Sequence, residues 1–433
     1  MRLTLFNSLS DYDPATGRWT NRDPILFAGD TTNTYQYGPD LTSITDPSGR
    51  ATTFFHDAAG RRRSTVNALG QRRTYSYDPM GRLKELDDPM GNAIRFGYDV
   101  NGNMVSSTDQ RNNVTTYGYD GMNRRTSRTD PLNTTETLAY TPAGLIASFT
   151  ARNGQVTGAT YDTAGRLASL GFGATAETPG LYESTVNYSY DGADRVLAIV
   201  DSASGEIDYT YDDFDRVTEE TTPLGTVEYS YDAVGRRTQM RPSQQQAVDY
   251  AYDNGDRLVE IDNSGDSVHI AYDALDRYAS VQLRNGVTQS YTYDNASQLI
   301  SIAYDTATGT LGNLTYDYDG LGRVIHLGGT LAKVDLPAAI AARSFNANNQ
   351  IAMPGYNYDA NGRLISDGAS TYVWNAREQM VQINGSVSAL FAYDALGRRT
   401  RKSINALAKQ YLYDGPNLIQ ELADAATPRG LSS

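Results

Sequence analysis

Aromatic and polar residues alternate along most of this chain with a period of two. Tyr75 and Tyr77 flank a serine, and the same Tyr-x-Tyr-Asp pattern returns at Tyr209 and Tyr211. Successive side chains of a strand point to opposite faces of the sheet, so both rings of such a pair lie on one face. The alternation therefore predicts strands that each carry two tyrosines on the same face, just before the strand ends.

Each predicted strand ends in a turn motif, of which Tyr77-Asp78-Pro79-Met80-Gly81-Arg82 is a representative copy. Aspartate, proline and glycine at these positions favour a type I turn, and glycine accepts the positive φ needed on leaving it. An arginine and an apolar residue follow, as in Arg82-Leu83, and alternation places them on opposite faces. A second turn, such as Asp88-Pro89-Met90-Gly91, completes the unit. Each unit is thus two strands and two turns.

The unit recurs at nearly constant spacing. Tyr-Asp pairs begin every 21 residues from Tyr77 to Tyr119, and every 20 or 21 residues from Tyr190 to Tyr293. A fixed period of this length indicates a repeat architecture, in which hairpins that are unstable alone pair edge to edge. Right-handed strand twist would coil such a sheet. We therefore predict an all-β fold of repeated antiparallel β-hairpins that form a spiralling sheet or a partial hollow shell.

Interruptions of the repeat predict three regions. Residues 1–50 contain three proline turns and differ from the rest of the chain, and residues 51–422 carry the array, with insertions near 171–182 and 327–350. Residues 423–433 are predicted to form a flexible tail. Within the second insertion, the apolar and alanine-rich stretch Leu331–Phe345 predicts a short helix.

Composition narrows the chemistry that the chain can perform. The 433 residues include 51 acidic and 37 basic side chains, a net charge of −14, which disfavours a nucleic-acid partner. No cysteine is present, so disulfides and thiolate sites are excluded. The three histidines, His56, His269 and His326, are far apart in sequence, and we predict no metal and no cofactor. Neither a transmembrane segment nor a classical signal peptide is evident, so we expect a soluble chain whose location the sequence leaves open.

The Tyr-Asp-x-x-Gly-Arg motif, repeated about every 21 residues, resembles the Rhs or YD-repeat family, and the resemblance covers nearly all of residues 51–420. In that family the repeats coil into a hollow β shell. Its members include bacterial polymorphic toxins whose shell encloses a toxic domain, toxin-complex cocoons of insect pathogens, and animal teneurins of cell adhesion. The resemblance implies a secreted or cell-surface location. It also implies an enclosed toxin polypeptide or other Rhs segments as partners.

The N-terminal segment resembles the Rhs core, which in toxin-bearing relatives is an aspartyl self-protease. On this resemblance Arg22 and Asp23 match its Arg-Asp-Pro motif, and Asp46 lies in its cleavage-site motif. Two departures oppose activity, because the core precedes the repeats here and Arg50 stands where a large apolar residue is usual. An aspartyl mechanism also needs two carboxylates that share a proton. Arg22, Asp23 and Asp46 are the candidate catalytic residues, and the alternative is that both aspartates form Asp-Pro turns.

Three functional interpretations follow from these patterns. The preferred one is a noncatalytic structural shell segment that encloses or presents a toxin or mediates cell-surface contact, as an incomplete fragment of a larger polymorphic-toxin protein. The first alternative is a self-cleaving aspartyl core. The second is a carbohydrate-binding surface module whose tyrosine ladders stack on sugar rings. An incomplete array leaves strand edges open, so we also expect self-association.

Overall fold

The computed structural model describes residues 12–13, 18–19, 34–37, 40–46, 49–333 and 343–423. Every regular element in these residues is a β-strand. Where strands that follow one another in the chain pair, they pair antiparallel, beginning with the short pair β1 (Tyr12–Asp13) and β2 (Arg18–Trp19). The predicted all-β fold of repeated antiparallel hairpins is confirmed. Arg22, Asp23, the tail after residue 423 and most of the helix predicted at Leu331–Phe345 lie outside the described residues, and Phe345 itself forms an isolated bridge with Ile351.

The chain divides into two compact units. The first unit contains two runs of strands, each paired in chain order. The first of these runs is β3 (Thr34–Tyr37), β4 (Leu41–Thr45), β5 (Ala51–His56), β6 (Arg62–Val66), β7 (Arg72–Tyr77), β8 (Leu83–Asp87) and β9 (Ala93–Tyr98). The other is β23 (Val248–Tyr252), β24 (Leu258–Asn263), β25 (Asp266–Tyr272), β26 (Tyr278–Gln282), β27 (Thr288–Tyr293), β28 (Leu299–Thr306), β29 (Gly309–Tyr318) and β30 (Val324–Gly328).

The second unit also contains two runs, which we call the long run and the short run. The long run is β10 (Met104–Thr108), β11 (Val114–Tyr119), β12 (Arg125–Thr129), β13 (Thr135–Tyr140), β14 (Ile146–Thr150), β15 (Val156–Tyr161), β16 (Leu167–Ala174), β17 (Ser184–Tyr190), β18 (Val196–Asp201), β19 (Gly205–Tyr211), β20 (Val217–Thr222), β21 (Gly225–Tyr231) and β22 (Arg237–Pro242). The short run is β31 (Tyr356–Tyr358), β32 (Leu364–Asp367), β33 (Thr371–Trp374), β34 (Met380–Asn384), β35 (Ala389–Tyr393), β36 (Arg399–Ile404), β37 (Leu407–Asp414) and β38 (Asn417–Ala423).

Two kinds of turn alternate along every run. A YD turn follows the strand that ends in the Tyr-Asp pair or in variants of it such as Tyr140-Thr141 and Trp374-Asn375, and a second turn joins that hairpin to the next one. In the YD turn at Asp78, the Gly81 amide donates to the Asp78 carbonyl and the Asp78 amide donates to the Arg82 carbonyl. Gly81 has φ of 81°, and the strand register shifts between Ser76 and Tyr77. This is a three-residue hairpin loop that ends in a left-handed residue and a bulge.

The buried core of the described residues is small. Only nine hydrophobic residues are buried there, and three of them, Val186, Ile199 and Ile207, form one cluster in the second unit. Ala395 of the short run packs against this cluster. Hydrophobic burial is therefore concentrated where the two runs of the second unit meet, and elsewhere the hairpins depend largely on hydrogen bonds, ion pairs and half-buried rings.

Candidate functional site

In most YD turns an aspartate holds the turn together through both carboxylate oxygens. Asp162 Oδ1 accepts the backbone amides of Ala164 and Arg166 at 2.9 Å, and Oδ2 accepts Arg166 Nε at 2.7 Å. The same three bonds recur at Asp78, Asp120, Asp191, Asp212, Asp232, Asp253, Asp273, Asp319 and Asp394. Charge-assisted bonds of this kind are stronger than neutral ones, so they fix the arginine in one orientation.

The fixed arginine then reaches the next hairpin. The Arg166 guanidinium lies over the Tyr190 ring, 4.6 Å from its centroid, and Nη1 donates to Asp194 Oδ1 at 2.6 Å. In return, the Tyr190 hydroxyl donates to the Leu167 carbonyl at 2.8 Å. We call this set of Asp, Arg and next-hairpin Tyr the YD clasp. Guanidinium–ring contacts of the clasp recur at Arg61–Tyr77, Arg124–Tyr140, Arg195–Tyr211, Arg216–Tyr231, Arg257–Tyr272, Arg277–Tyr293 and Arg398–Tyr413.

A tryptophan takes the tyrosine position in one copy. Trp374 Nε1 donates to the Leu364 carbonyl at 2.9 Å, and the Arg363 guanidinium lies 5.9 Å from the indole ring centroid. Both contacts of the clasp are therefore kept, because indole also offers a flat face and one hydrogen-bond donor.

The clasps shift the acidity of their aspartates. The hydrogen bond from the Arg216 side chain holds the pKa of Asp212 below its ordinary value, and Arg166 and Arg257 have the same effect on the pKa of Asp162 and Asp253. A carboxylate with a lowered pKa is ionised at neutral pH and is a weak general base. The clasp is thus suited to cohesion of the sheet and not to proton transfer.

In the second unit, YD turns of the short run lie against second turns of the long run. Arg377, in the YD turn after β33, donates from both Nη atoms to the Asp201 carboxylate at 2.7 and 2.6 Å, and its Nε donates to Ser184 Oγ at 3.0 Å. Arg398, in the next YD turn, lies with Nη1 2.7 Å from Glu220 Oε1. These four charged side chains are almost completely buried.

At these contacts, burial acts to raise the pKa of each carboxyl group, whereas the neighbouring arginine acts to lower it. Burial raises the pKa of Glu220, despite the neighbouring guanidinium of Arg398, and burial raises the pKa of Tyr209 to about 12. Asp201 behaves differently, because hydrogen bonds led by Arg377 outweigh the effect of burial and lower its pKa. A cleft of about 270 Å³ lies beside Arg398, and its lining includes Ile207, Leu224, Tyr411 and Leu412.

A third polar contact surrounds Asp130 of the long run and involves both the short run and the segment that precedes β31. The Oδ2 atom of Asp130 accepts Arg152 Nη1 and Asn348 Nδ2 at 2.7 Å each, and Asn361 Oδ1 accepts the backbone amide of Asn153 at 2.8 Å. The carboxyl of Asp130 is buried, but hydrogen bonds led by Thr134 hold its pKa well below the ordinary value. Turns separated by more than 200 residues are thereby joined.

The first unit repeats this turn-on-turn arrangement and includes one sequence-predicted site residue. Asp46 Oδ1 accepts the Arg50 amide at 2.9 Å, Oδ2 accepts Arg50 Nε at 2.5 Å, and Arg50 Nη1 donates to Gln298 Oε1 at 2.8 Å. Asp46 therefore makes two of the three hydrogen bonds that a YD-turn aspartate makes. Arg22 and Asp23 lie outside the described residues, so the structure does not place them relative to Asp46, and catalysis by the three remains a prediction.

The sequence pattern found part of the clasp and missed the rest. The repeated turn motif already contains the aspartate and the arginine, and in the structure these two side chains pair, as Asp78 and Arg82 do. Contact of each arginine with the next tyrosine was not foreseen. The signal was present, since the arginine of one turn and the tyrosine of the next mostly recur 15 or 16 residues apart, but no local rule assigned them a contact.

The described residues contain few other groupings of reactive side chains. No group of three or more His, Cys, Asp or Glu residues there is arranged to hold a metal ion. Among the same residues, no helix has the length and apolar character required to cross a membrane. His269 lies 3.7 Å from Glu260 and His326 lies 3.1 Å from Asp317, both as exposed pairs.

Comparison with known proteins agrees with the repeat geometry. The family model described as Teneurin YD-shell matches residues 181–290 and 284–427, which together exceed half of the chain, and the RHS Repeat model matches residues 38–72, 56–93 and 98–135. The chain belongs to the Rhs/YD-repeat family. The YD clasp is thus the structural form of the motif after which this family is named.

Several solved structures are similar to this chain in fold. A crystal structure of TcdB2-TccC3-TEV is 15% identical with a TM-score of 0.64, and the likeness covers 88% of this chain and 28% of that one. The Photorhabdus luminescens Tc holotoxin pore is 15% identical with a TM-score of 0.52, covering 87% of this chain and 22% of that one. The tRNA nuclease WapA of Bacillus subtilis is 32% identical over 112 residues, which are 24% of this chain and 5% of the nuclease. The chain thus spans only a small part of these relatives.

Proposed function

We propose that this chain is a noncatalytic section of YD-shell wall that encloses a polypeptide belonging to the same, longer protein. The YD clasp is the observation that carries the proposal. Its carboxylate, guanidinium and phenol groups are bound within the sheet, hairpin after hairpin. The side chains that could otherwise act in catalysis or ligand binding therefore hold neighbouring hairpins together. A wall requires this kind of continuous attachment between neighbouring hairpins.

The related proteins support an enclosed cargo. One relative is named a tRNA nuclease and others are Tc toxin structures, and in each of them the similar part is a minor fraction of the protein. By analogy, the rest of the longer protein would carry the toxic activity, and the repeat section would separate it from solvent. Secretion or cell-surface exposure follows from the same analogy.

The carbohydrate-binding alternative receives less support from the geometry. A sugar ring stacks on an open aromatic face. In the clasps, however, one face of the second tyrosine of each pair carries a guanidinium, and its hydroxyl donates to a backbone carbonyl. These rings are already used within the sheet, so the repeated tyrosines are better explained as structural.

Protease protection tests the proposal. The complete gene product would be treated with protease, and survival of the cargo polypeptide would be followed beside the same polypeptide made alone. We expect digestion of the enclosed cargo to be slower by at least about tenfold, since cleavage requires opening of the wall. Equal digestion rates would contradict enclosure.

A matched pair of variants links protection to the clasps. Replacing Arg195 and Arg216 by methionine keeps the apolar stems but removes two consecutive guanidinium contacts. Protection should weaken in this variant. Replacing Arg284, whose ion pair with Asp266 is exposed, should leave protection unchanged.

A further inference from the structure

The YD turns of the long run in the second unit carry an uncovered row of apolar side chains. The third residue of consecutive turns is Met122, Ala143, Ala164, Ala193, Phe214 and Val234, and all six are exposed. The three large members have 70%, 78% and 72% of their surface accessible, in the order Met122, Phe214, Val234. We call this set the YD-turn row. Large apolar side chains repeated at one edge of a sheet indicate an interaction surface.

In the short run, two residues at the same turn position contact the long run, whereas the third, Leu396, is 47% exposed. The two are Asn361 and Arg377, which bind Asn153 and Asp201 in second turns of the long run. Ala395, one position earlier in its own turn, packs on the cluster of Val186, Ile199 and Ile207. The molecule therefore contains an example of how a YD-turn edge docks: it lies against the second-turn edge of another run.

A matching second-turn edge is also uncovered in the second unit. Val387 in the turn between β34 and β35 is 44% exposed, and Leu407 at the turn between β36 and β37 is 80% exposed. Neither turn, residues 385–388 or 405–407, contains a charged residue. Apolar side chains on both edges would lose contact with water if the edges met.

The spacing of the two edges agrees. Phe214 and Val234 lie in YD turns separated by one hairpin, and Val387 and Leu407 lie in second turns separated by one hairpin. One hairpin spans two strand separations, about 9.5 Å. Two residues of the YD-turn row can thus meet two residues of the second-turn edge at the same time.

We propose that the YD-turn row of one molecule binds the second-turn edge of a second copy, with Phe214 and Val234 against Val387 and Leu407. A second copy of this chain can supply the partner for either surface, because each copy carries both the YD-turn row and the second-turn edge. The contact is heterologous, so a dimer still has one free row and one free edge, and association continues beyond the dimer. This proposal concerns contacts between copies and stands apart from the enclosure of a cargo.

Sedimentation velocity over a wide range of concentrations tests the proposal. The chain should associate in a concentration-dependent manner beyond the dimer. The row variant, Phe214→Asp with Val234→Asp, should weaken association by at least about tenfold, because buried apolar anchors carry most of the energy of an interface. The edge variant, Val387→Asp with Leu407→Asp, should do the same. Met90→Asp, at an exposed turn position of the first unit, serves as the control and should associate as the parent does.

Mixing the two variants distinguishes this contact from a symmetric one. Each variant keeps one intact surface, so an equimolar mixture should form heterodimers and stop there. If the row bound another row, the edge variant would still associate by itself, and that result would overturn the proposal. A parent chain that stays monomeric at the highest concentration, or a row variant that associates like the parent, would also overturn it. Unchanged circular dichroism of each variant would confirm that it is folded.

Discussion

Arg377 illustrates what a single side chain contributes to this molecule. Its guanidinium makes two parallel hydrogen bonds to the Asp201 carboxylate, lies 4.8 Å from the centroid of the Phe172 ring, and is almost fully buried. Removing charges from water is costly, so such a pair is maintained only while both members are present. A variant that lacks one member leaves the other buried without a counter-charge.

We predict that Arg377→Met lowers the free energy of unfolding by about 3 kcal/mol, because Asp201 loses its cation inside the protein. Urea unfolding followed by circular dichroism measures this loss. Arg95→Met is the control, since the Arg95–Glu85 pair is half exposed and should cost less than about 1 kcal/mol. Adding Asp201→Asn to Arg377→Met should recover part of the loss. Equal unfolding midpoints for the two single variants would contradict the assignment.

At the scale of the hairpin, the backbone conformation at the fourth position of the YD turn limits which residue types can occupy that position. The residue at this position has positive φ in the Asp212 and Asp232 turns, 63° at Asp215 and 93° at Gly235. Asp215 accepts Arg195 Nη1 from the preceding hairpin at 2.8 Å. A Cβ on Gly235 would meet only Arg216 Nη1, at 3.9 Å. An aspartate at 235 could therefore form the contact that Asp215 already makes.

We predict that Gly235→Asp is tolerated and that Gly235→Val is not. Valine is β-branched and has no polar group to compensate for the left-handed backbone, which costs about 1–2 kcal/mol. Aspartate should lose less, because the short polar side chain is compatible with positive φ and Arg216 lies within reach. Thermal unfolding of the two variants beside the parent measures the difference. A valine variant as stable as the aspartate variant would show that backbone strain does not control this position.

Local and long-range features differed in how far the sequence could predict them. Alternation at Tyr209 and Tyr211 and the Asp-x-x-Gly spacing act within a few residues, so strands and turns followed directly from them. The Arg166–Tyr190 contact depends on how one hairpin pairs with the next, and no local pattern fixes that. Asp201 and Arg377 are farther apart still, 176 residues, and only the folded chain brings them together. Catalysis by Arg22, Asp23 and Asp46 came from a resemblance alone and stays a prediction.

For the whole chain, the contacts of Asp46 bear on self-cleavage. Its carboxylate is bound by the amide and Nε of Arg50, as in a structural turn, whereas an aspartyl protease requires two carboxylates that share one proton. We predict a single species of 47.3 kDa by intact-mass analysis after prolonged incubation of the purified chain. A shorter species that lacks the first residues of the chain would contradict this, and its loss in Asp23→Asn would assign the cleavage to that residue.

Acid should weaken the whole array over one narrow range of pH, because many clasps share the same chemistry. Aspartates such as Asp162, Asp212 and Asp253 have pKa values below the ordinary 3.8 in the folded chain, as a result of hydrogen bonds led by their arginines. An aspartate whose pKa is lower in the folded chain than in the unfolded chain stabilises the fold when it is ionised. This stabilisation is fully present above pH 3.8 and is lost as the pH falls below that value.

The midpoint of thermal unfolding should therefore change little from pH 7 to about 5 and fall steeply below about pH 4. Sodium chloride at pH 7 is the control, since salt screens the half-exposed ion pairs but leaves the amide bonds to each carboxylate intact, so it should lower the midpoint less than acid does. A constant midpoint down to pH 3 would mean that the clasps contribute little. The core around Ile207 and the buried pairs of Arg377 and Arg398 would then carry the stability of the second unit.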